Sequence, residues 1–527
     1  MGQNGKLPSP DKKLLKIYNI YGGFLMEKNQ FEKILDTLKE VSIKTASSLR
    51  ELLQTVEANA ASPASGSLNA RERIEAIFDK GTFMESGAYI RRRANELCAD
   101  SDAFEGVICG WGSVNGRLVF AFSQDYARTK GALTEAHAEK ITEIYRLAIE
   151  NGAPVIGIFD SAGAYLPEGV RALAGYSKVM NCAAKASGVI PQIAVVPGVC
   201  AGSAAVIAGM FDFIVMSEKN SSLSFNAPFA VGNEVGTSDF AAKSGMAALC
   251  GADDADCIAK AKLLLSYLPM NNMEGTVEER SRDDANRLCD LTAYKDGGDV
   301  SLLISAVADE GRFIELYKDF APEMACGFVS MNGTVCGVAA DRKSVDGGVL
   351  SADAARKAAR LVSFCDSFDI PVISVLDSAG PDVSAEAEAS PYAAELAKLA
   401  FAYANAKCPM ITVIAGEAYG AHFALMGAKA LGADVVLALE GAKTGAMSAE
   451  RAVAFLWNDQ ITSEVSRESL EEKWNETVAS PAAAAACGAV DDIVADSELR
   501  QRICAAVMML SAKSKCAPAR RHANMPL

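Results

Sequence analysis

Hydrophobic and polar positions follow the same order of elements twice along this chain. The segment "WGSVNGRLVFAFSQD" places Asn115-Gly116 at a hairpin-turn position, and "FVSMNGTVCGVAADR" places Asn332-Gly333 likewise, 217 positions later. Each hairpin is followed by a helical segment, "EAHAEKITEIYRLAIENG" and then "ADAARKAARLVSFCDSFD". Each helix leads into a Val/Ile strand, "APVIGI" or "IPVISV", that runs into Asp-Ser-Ala-Gly at Asp160–Gly163 and Asp377–Gly380. Farther on, "VCAGSAAVIAGMFDFIVM" pairs with "AYGAHFALMGAKALGADVVLA" at an offset of 218. One tetrapeptide repeats easily by chance, whereas a near-constant offset across four landmarks marks a duplicated domain. The fold expected is α/β, with the repeats at roughly 100–290 and 320–495. The corresponding domains span 61–295 and 296–527, after an N-terminal extension at 1–60.

Ahead of the repeats, a helical face is predicted from Met26 to Leu53 by Phe31, Ile34, Leu35 and Leu38. A linker, "EANAASPASGS", follows, and "NARERIEAIFDKGTFMES" predicts a short helix capped by Asn69 and stopped by Lys-Gly. The first 25 residues are basic and lack the continuous apolar core of a signal peptide. Codons for the Gly-Gly of "YGGFLM" can spell a bacterial ribosome-binding sequence just before the Met26 codon. Translation is therefore expected to start at Met26.

The length of 527 residues calls for two or three domains, and half of the residues are hydrophobic, as in a soluble globular protein. A net charge of −15 argues against non-specific nucleic-acid binding. Apolar stretches are broken by Pro and Gly, so none reads as a membrane span. The 14 cysteines include no CxxC pair, which leaves reduced, buried thiols in a cytoplasmic protein.

Chemistry concentrates where strands end in small-residue turns that open helices. Such turns present backbone N–H groups to an oxyanion or carbonyl oxygen, and a larger side chain would fill the space needed by that oxygen. The candidates are Ala162-Gly163 and Gly202-Ser203 in the first repeat, and Gly380 and Gly420-Ala421-His422 in the second. Close helix–strand packing would explain any one such turn, and its duplication weighs against that reading. Of three histidines, His137 reads as a helix residue beside a loop; His422 lies in a candidate turn, and His522 is near the end. Ser161 and Ser378 lack an identifiable histidine partner, and no GxSxG, HExxH, P-loop or GxGxxG motif is present. Backbone donors without a side-chain acid or base suit enolate chemistry.

Beyond these patterns, "NARERIEAIFDKGTF", "FSQD", "EAHAEKI", "GAPVIGIFDSAGA", "ASGVIPQIAVVPGVCAGSA", "ARLVSFCDSFDIPVISVLD", "EAYGAHFALMGAKALGADV" and "RRHANMPL" resemble the carboxyltransferase subunits of biotin-dependent acyl-CoA carboxylases and decarboxylases. These include propionyl-CoA carboxylase beta chains and the alpha chains of sodium-pumping methylmalonyl-CoA and glutaconyl-CoA decarboxylases. The resemblance runs from about residue 50 to the C-terminus. It implies two tandem crotonase-like (ClpP/crotonase) ββα-superhelix domains, the first binding acyl-CoA and the second biotin across a dimer interface. It further implies a homo-oligomer, typically a hexamer. The chain lacks a biotinyl-lysine signature, so biotin is expected on a separate carrier protein, with a biotin carboxylase or a membrane sodium-pump decarboxylase subunit as further partner. A pump subunit would sit peripherally at the membrane. No metal is implied.

On matching positions the resemblance implies that Gly202 and Ser203 hold the thioester oxyanion, and that Ala421 and His422 hold that of biotin. Gly131, Ala132, Ala162, Gly163, Ala164 and Tyr165 would line the acyl side, and Gly380, Tyr419 and Gly420 the other, with Ala424 where relatives tune the choice of acyl group. Relatives carry glycine where Ala162 and Ser203 stand, arginine at Tyr165, a small residue at His422 and an acidic one at Ala424. A Tyr-Gly-Gly segment of theirs aligns with Ala389 to Pro391. Two alternatives stay open: a non-catalytic scaffold of the same complex, and a crotonase-type hydratase or hydrolase using a carboxylate such as Glu168.

Overall fold

The computed structural model describes residues 67–93, 104–226, 228–232, 234–278, 281–514 and 524. The predicted helix from Met26, its linker, the Met26 start, His522 and nearly all of "RRHANMPL" lie outside these residues. Each repeat builds a seven-stranded sheet with its strands in chain order. The first comprises β1 (Met84–Ser86), β2 (Val107–Val114), β3 (Arg117–Gln124), β4 (Val155–Ile158), β5 (Gln192–Val196), β6 (Phe213–Ser217) and β7 (Leu249–Gly251). The second comprises β8 (Phe313–Leu316), β9 (Met324–Met331), β10 (Thr334–Asp341), β11 (Val372–Leu376), β12 (Met410–Ile414), β13 (Val435–Leu439) and β14 (Asp492–Val494). In both, the first three strands are antiparallel and the others join in parallel. This is the duplicated α/β architecture that the repeat foretold, in line with the tandem crotonase-like domains that the resemblance implies.

The hairpins form where Asn-Gly places them. Asn115 and Gly116 take φ of 51° and 79°, and Asn332 and Gly333 take 52° and 87°, the paired left-handed conformations of a two-residue I′ turn. An aspartate closes each turn. Asp79 accepts from Ser113 Oγ at 2.7 Å and from the amides of Asn115 and Gly116, both at 3.1 Å. Asp309 does the same for Ser330 (3.0 Å), Asn332 (3.0 Å) and Gly333 (2.7 Å).

Helix α1 (Ala70–Ile77) starts at the predicted Asn69, whose side chain accepts from the Arg71 and Glu72 amides while Glu72 returns a bond to Asn69 N, a reciprocal capping box. Helix α2 (Glu135–Asn151) is capped by Thr134 and stopped by left-handed Gly152; its counterpart in the second repeat is capped by Ser351 and spans Ala352–Ser367. Both counterparts bury a lysine. Lys140 Nζ donates to Val107 O at 2.5 Å, and Lys357 Nζ donates to the carbonyls of Tyr317, Phe320, Ala321 and Met324. Carbonyl oxygens gathered around its N–H donors are what make a buried ammonium tolerable.

One hydrophobic core runs through both repeats. Phe213 of β6 meets Phe364 of the Ala352–Ser367 helix edge-on at 4.7 Å and Phe328 of β9 at 6.0 Å. Truncating such a ring to alanine costs about 3–5 kcal/mol. The described residues accordingly belong to one compact unit, 62–527.

Candidate functional site

Strands β4 and β11 end at the two Asp-Ser-Ala-Gly turns, and the turns are near copies. Ser161 Oγ accepts the Gly163 amide at 3.2 Å, Ser378 Oγ accepts the Gly380 amide at 3.0 Å, and both glycines take φ of 118°. Both serines are fully buried in this internal role. The Ala162 amide donates to Lys130 O (2.9 Å) and the Ala379 amide to Gly347 O (3.1 Å). The amides of Ala162, Gly163 and Gly380 are thus engaged within the turns, so these residues shape the site rather than offer free donors. Gly131 shows how close the neighbouring loop lies: a Cβ there would sit 1.9 Å from Asp160 O. Ala132 and Ala164 are half-buried beside it, and the Tyr165 amide donates to Leu133 O at 3.0 Å. Ala162 and Ala379 are exposed at the turn tips.

The second pair of turns lies directly alongside. Ser161 N donates to Val199 O at 2.5 Å and Ser378 N to Glu417 O at 2.7 Å, so the short strands Val199–Ala201 and Glu417–Tyr419 run beside the first turns. Gly202 (φ 62°, ψ −131°) and Gly420 (φ 60°, ψ −135°) then bend the chain sharply into helices α3 (Ser203–Gly209) and α4 (Ala421–Leu425). That conformation is essentially restricted to glycine. The Gly202 amide is bonded to Ser224 O and the Gly420 amide to Gly445 O. The next two amides of each elbow, Ser203 and Ala204, then Ala421 and His422, have no acceptor among the described residues, because neither glycine can cap with a side chain. Ser203 is half-buried, Ala421 and Ala424 are exposed, and Tyr419 is buried beneath them. Pro391 sits just before the Tyr392–Asn405 helix, where a missing N–H is harmless.

The turn aspartates are anchored differently. Asp160 is bonded to Arg73 Nη1 at 2.6 Å, while Arg73 Nε reaches Asp254 at 2.8 Å, all three buried. Burial pushes the Asp160 carboxyl above its usual pKa, against the pull of Arg73. Asp377 instead receives Lys343 Nζ at 2.9 Å, the Glu417 amide at 2.9 Å and Tyr294 OH at 2.7 Å. Gly198 and Gly416 must be glycine here, since a Cβ would fall 2.3 and 2.1 Å from these carboxylates.

Behind each turn stands a histidine. Gln124 Oε1 accepts the Asp160 amide at 3.2 Å, and Gln124 Nε2 lies 3.4 Å from Nε2 of fully buried His137. Burial, with Lys140 and Arg92 nearby, pushes His137 down to about 3, so it is neutral and turned away from solvent. Asp341 Oδ2 accepts the Asp377 amide at 3.0 Å and lies 2.9 Å from Nε2 of fully buried His422. The approach is off the axis of the ring N–H, and neither ring nitrogen has an aligned hydrogen-bond partner among the described residues. Glu168 accepts the Glu135 amide at 2.7 Å and so serves the start of α2. The sequence reading missed Arg73, Gln124, Asp341, Lys343 and Tyr294. The matching offset of Gln124 and Asp341 was the one available signal.

A family model described as "Carboxyl transferase domain" matches residues 62–525. The propionyl-CoA carboxylase beta chain of Saccharopolyspora erythraea is 36% identical over 498 residues, covering 88% of this chain and 91% of the relative. The methylmalonyl-CoA decarboxylase subunit alpha of Propionigenium modestum is 35% identical over 487 residues, covering 88% and 94%. A solved structure of transcarboxylase 12S, a hexamer with methylmalonyl-coenzyme A and methylmalonic acid bound, matches with a TM-score of 0.87 at 31% identity, covering 92% of this chain and 99% of that one.

Proposed function

Since this chain belongs to the carboxyl transferase family, we propose that it is the carboxyltransferase subunit that moves a carboxyl group between biotin on a separate carrier and a short acyl-CoA of the propionyl or methylmalonyl type. The observation that carries this reading is the pair of elbows. Two successive amides in each repeat follow the same glycine geometry and have no acceptor among the described residues, and Ser203 and His422 at small-residue positions are compatible with that geometry.

On the acyl side, the Ser203 and Ala204 amides stabilise the thioester oxygen as it gains charge in the enolate, with Gly131, Ala132, Ala162, Gly163, Ala164 and Tyr165 shaping the surroundings. On the carrier side, the Ala421 and His422 amides hold a ring oxygen in the same way. The fit to biotin rests on the one-carbon side chains of exposed Ala379, Ala421 and Ala424 around those amides, which leave room for a flat ring. When bound, biotin supplies the ring nitrogen that carries the carboxyl group. Preorganised donors of this kind are worth about a hundredfold or more in rate. Partners of this reading are a biotinylated carrier, a biotin carboxylase or membrane decarboxylase subunit, and further copies of the chain in a hexamer. Among the described residues, no helix is long and apolar enough to cross a membrane.

A hydratase would need Glu168 free beside the thioester, and its bond to the Glu135 amide speaks against that role. The test is incubation of purified protein with methylmalonyl-CoA or malonyl-CoA and free biotin. Biotin-dependent decarboxylation is expected, and inactivity on every CoA ester would favour the scaffold reading.

A further inference from the structure

The two repeats bring an imidazole beneath the same strand end by different routes. In the first, His137 arrives from α2, and the elbow helix α3 carries Ala204 at its second position. In the second, Ala354 occupies the place of His137, and His422 occupies the place of Ala204 on α4. All four are buried, so the large and the small side chain have exchanged flanks at nearly constant volume.

The exchange alters what is connected. Asp341 Oδ2 accepts the Asp377 amide at 3.0 Å and lies 2.9 Å from His422 Nε2, off the axis of the ring N–H, so one carboxylate is in contact with both the strand-end turn and the elbow helix. Gln124 accepts the Asp160 amide, and its nitrogen faces His137 on α2, which leaves the first elbow helix without that tie among the described residues. Helix α4 needs one. It is five residues long, begins after a left-handed glycine and ends at Met426, whose amide bonds to His422 O at 3.0 Å. A single turn closed by so few backbone bonds has little stability of its own.

We propose that Asp341 and His422 are positioning residues whose buried contact fixes the first turn of α4, keeping the Ala421 and His422 amides aimed at the carrier-borne ring. The catalytic consequence rests on the carboxyltransferase reading; the mechanical tie does not. Fixed donors need no reorganisation as charge develops, which is the source of their catalytic value.

The experiment compares His422→Ala, His422→Leu and His422→Gln with the unaltered protein. Leucine fills the space without a polar contact, whereas the glutamine amide nitrogen can occupy the place of Nε2. Amide hydrogen exchange is followed in peptides covering 417–426 and 199–209. Exchange at 417–426 should quicken about tenfold in the alanine and leucine variants, stay near that of the unaltered protein with glutamine, and remain unchanged at 199–209 in all three. With free biotin and methylmalonyl-CoA, the first two variants should lower kcat and raise KM for biotin, and leave KM for the CoA ester unaltered. Full protection in the leucine variant would reduce the contact to packing and overturn the proposal, as would equal shifts in both KM values. An unaltered protein that fails to decarboxylate any CoA ester would sink the function reading, and the exchange data would still decide the tie.

Discussion

The first repeat holds its turn aspartate with a buried arginine, and the second holds the equivalent aspartate with a half-exposed lysine and a tyrosine. The backbones around these carboxylates are almost the same, down to matching glycine angles of 118° in the strand-end turns. The difference shows that this architecture requires an anchored carboxylate beneath the turn and leaves open which side chain anchors it. It also predicts that the two repeats will respond unequally to equivalent changes.

The largest contrast is expected from the cations. Arg73→Met leaves Asp160 and Asp254 buried without a counter-charge, and should cost about 3–5 kcal/mol in denaturant unfolding. A cost as small as that of a surface pair would break the comparison. Next come the elbows. Ser203→Pro and Ala421→Pro each delete one amide proton at a first helical position, where proline is tolerated. Each should lower kcat of biotin-dependent decarboxylation about a hundredfold or more, near 3 kcal/mol. Retention of full rate by Ala421→Pro would remove the second elbow from the mechanism.

A smaller effect concerns acid. His137 is held near 3 in the fold against an ordinary value of 6.5, so between these values the unfolded chain binds a proton that the folded chain refuses. Stability should therefore rise with pH across that window, by up to about 1.4 kcal/mol per unit from this one group. His137→Gln should flatten that part of the pH–stability curve, whereas an unchanged slope would place the acid sensitivity elsewhere. The smallest effect is expected at Lys343→Met. The lysine side chain is 45% exposed, and its loss should cost at most about 1 kcal/mol, because Tyr294 and the Glu417 amide still hold Asp377.

The hairpins, the capped helices and the strand-ending turns were legible because each is encoded in a few adjacent residues. Asn-Gly dictates a left-handed turn, Asn69 and Glu72 cap reciprocally, and glycine tolerates the elbow angles wherever it occurs. The small-residue turns were likewise visible, but which of their amides are free was not. Gly163 and Gly380 give theirs to serines two residues back, and Gly202 and Gly420 give theirs to carbonyls on a neighbouring strand. Those acceptors are chosen by strand register, which local spelling does not specify.

What the sequence by itself determined is the duplication, the order of elements in each copy and the places where only small residues can stand. Turn chemistry and hydrophobic period act over a few positions, and the offset of 217 or 218 carries them into both repeats. Tertiary structure alone decided the contents beneath the turns: Arg73 reaching Asp160 across 87 positions, Lys343 reaching Asp377 across 34, and His422 exchanged for an alanine beside Asp341. Buried charges take the nearest partner that packing brings within about 3 Å, and that partner can come from any segment of the chain.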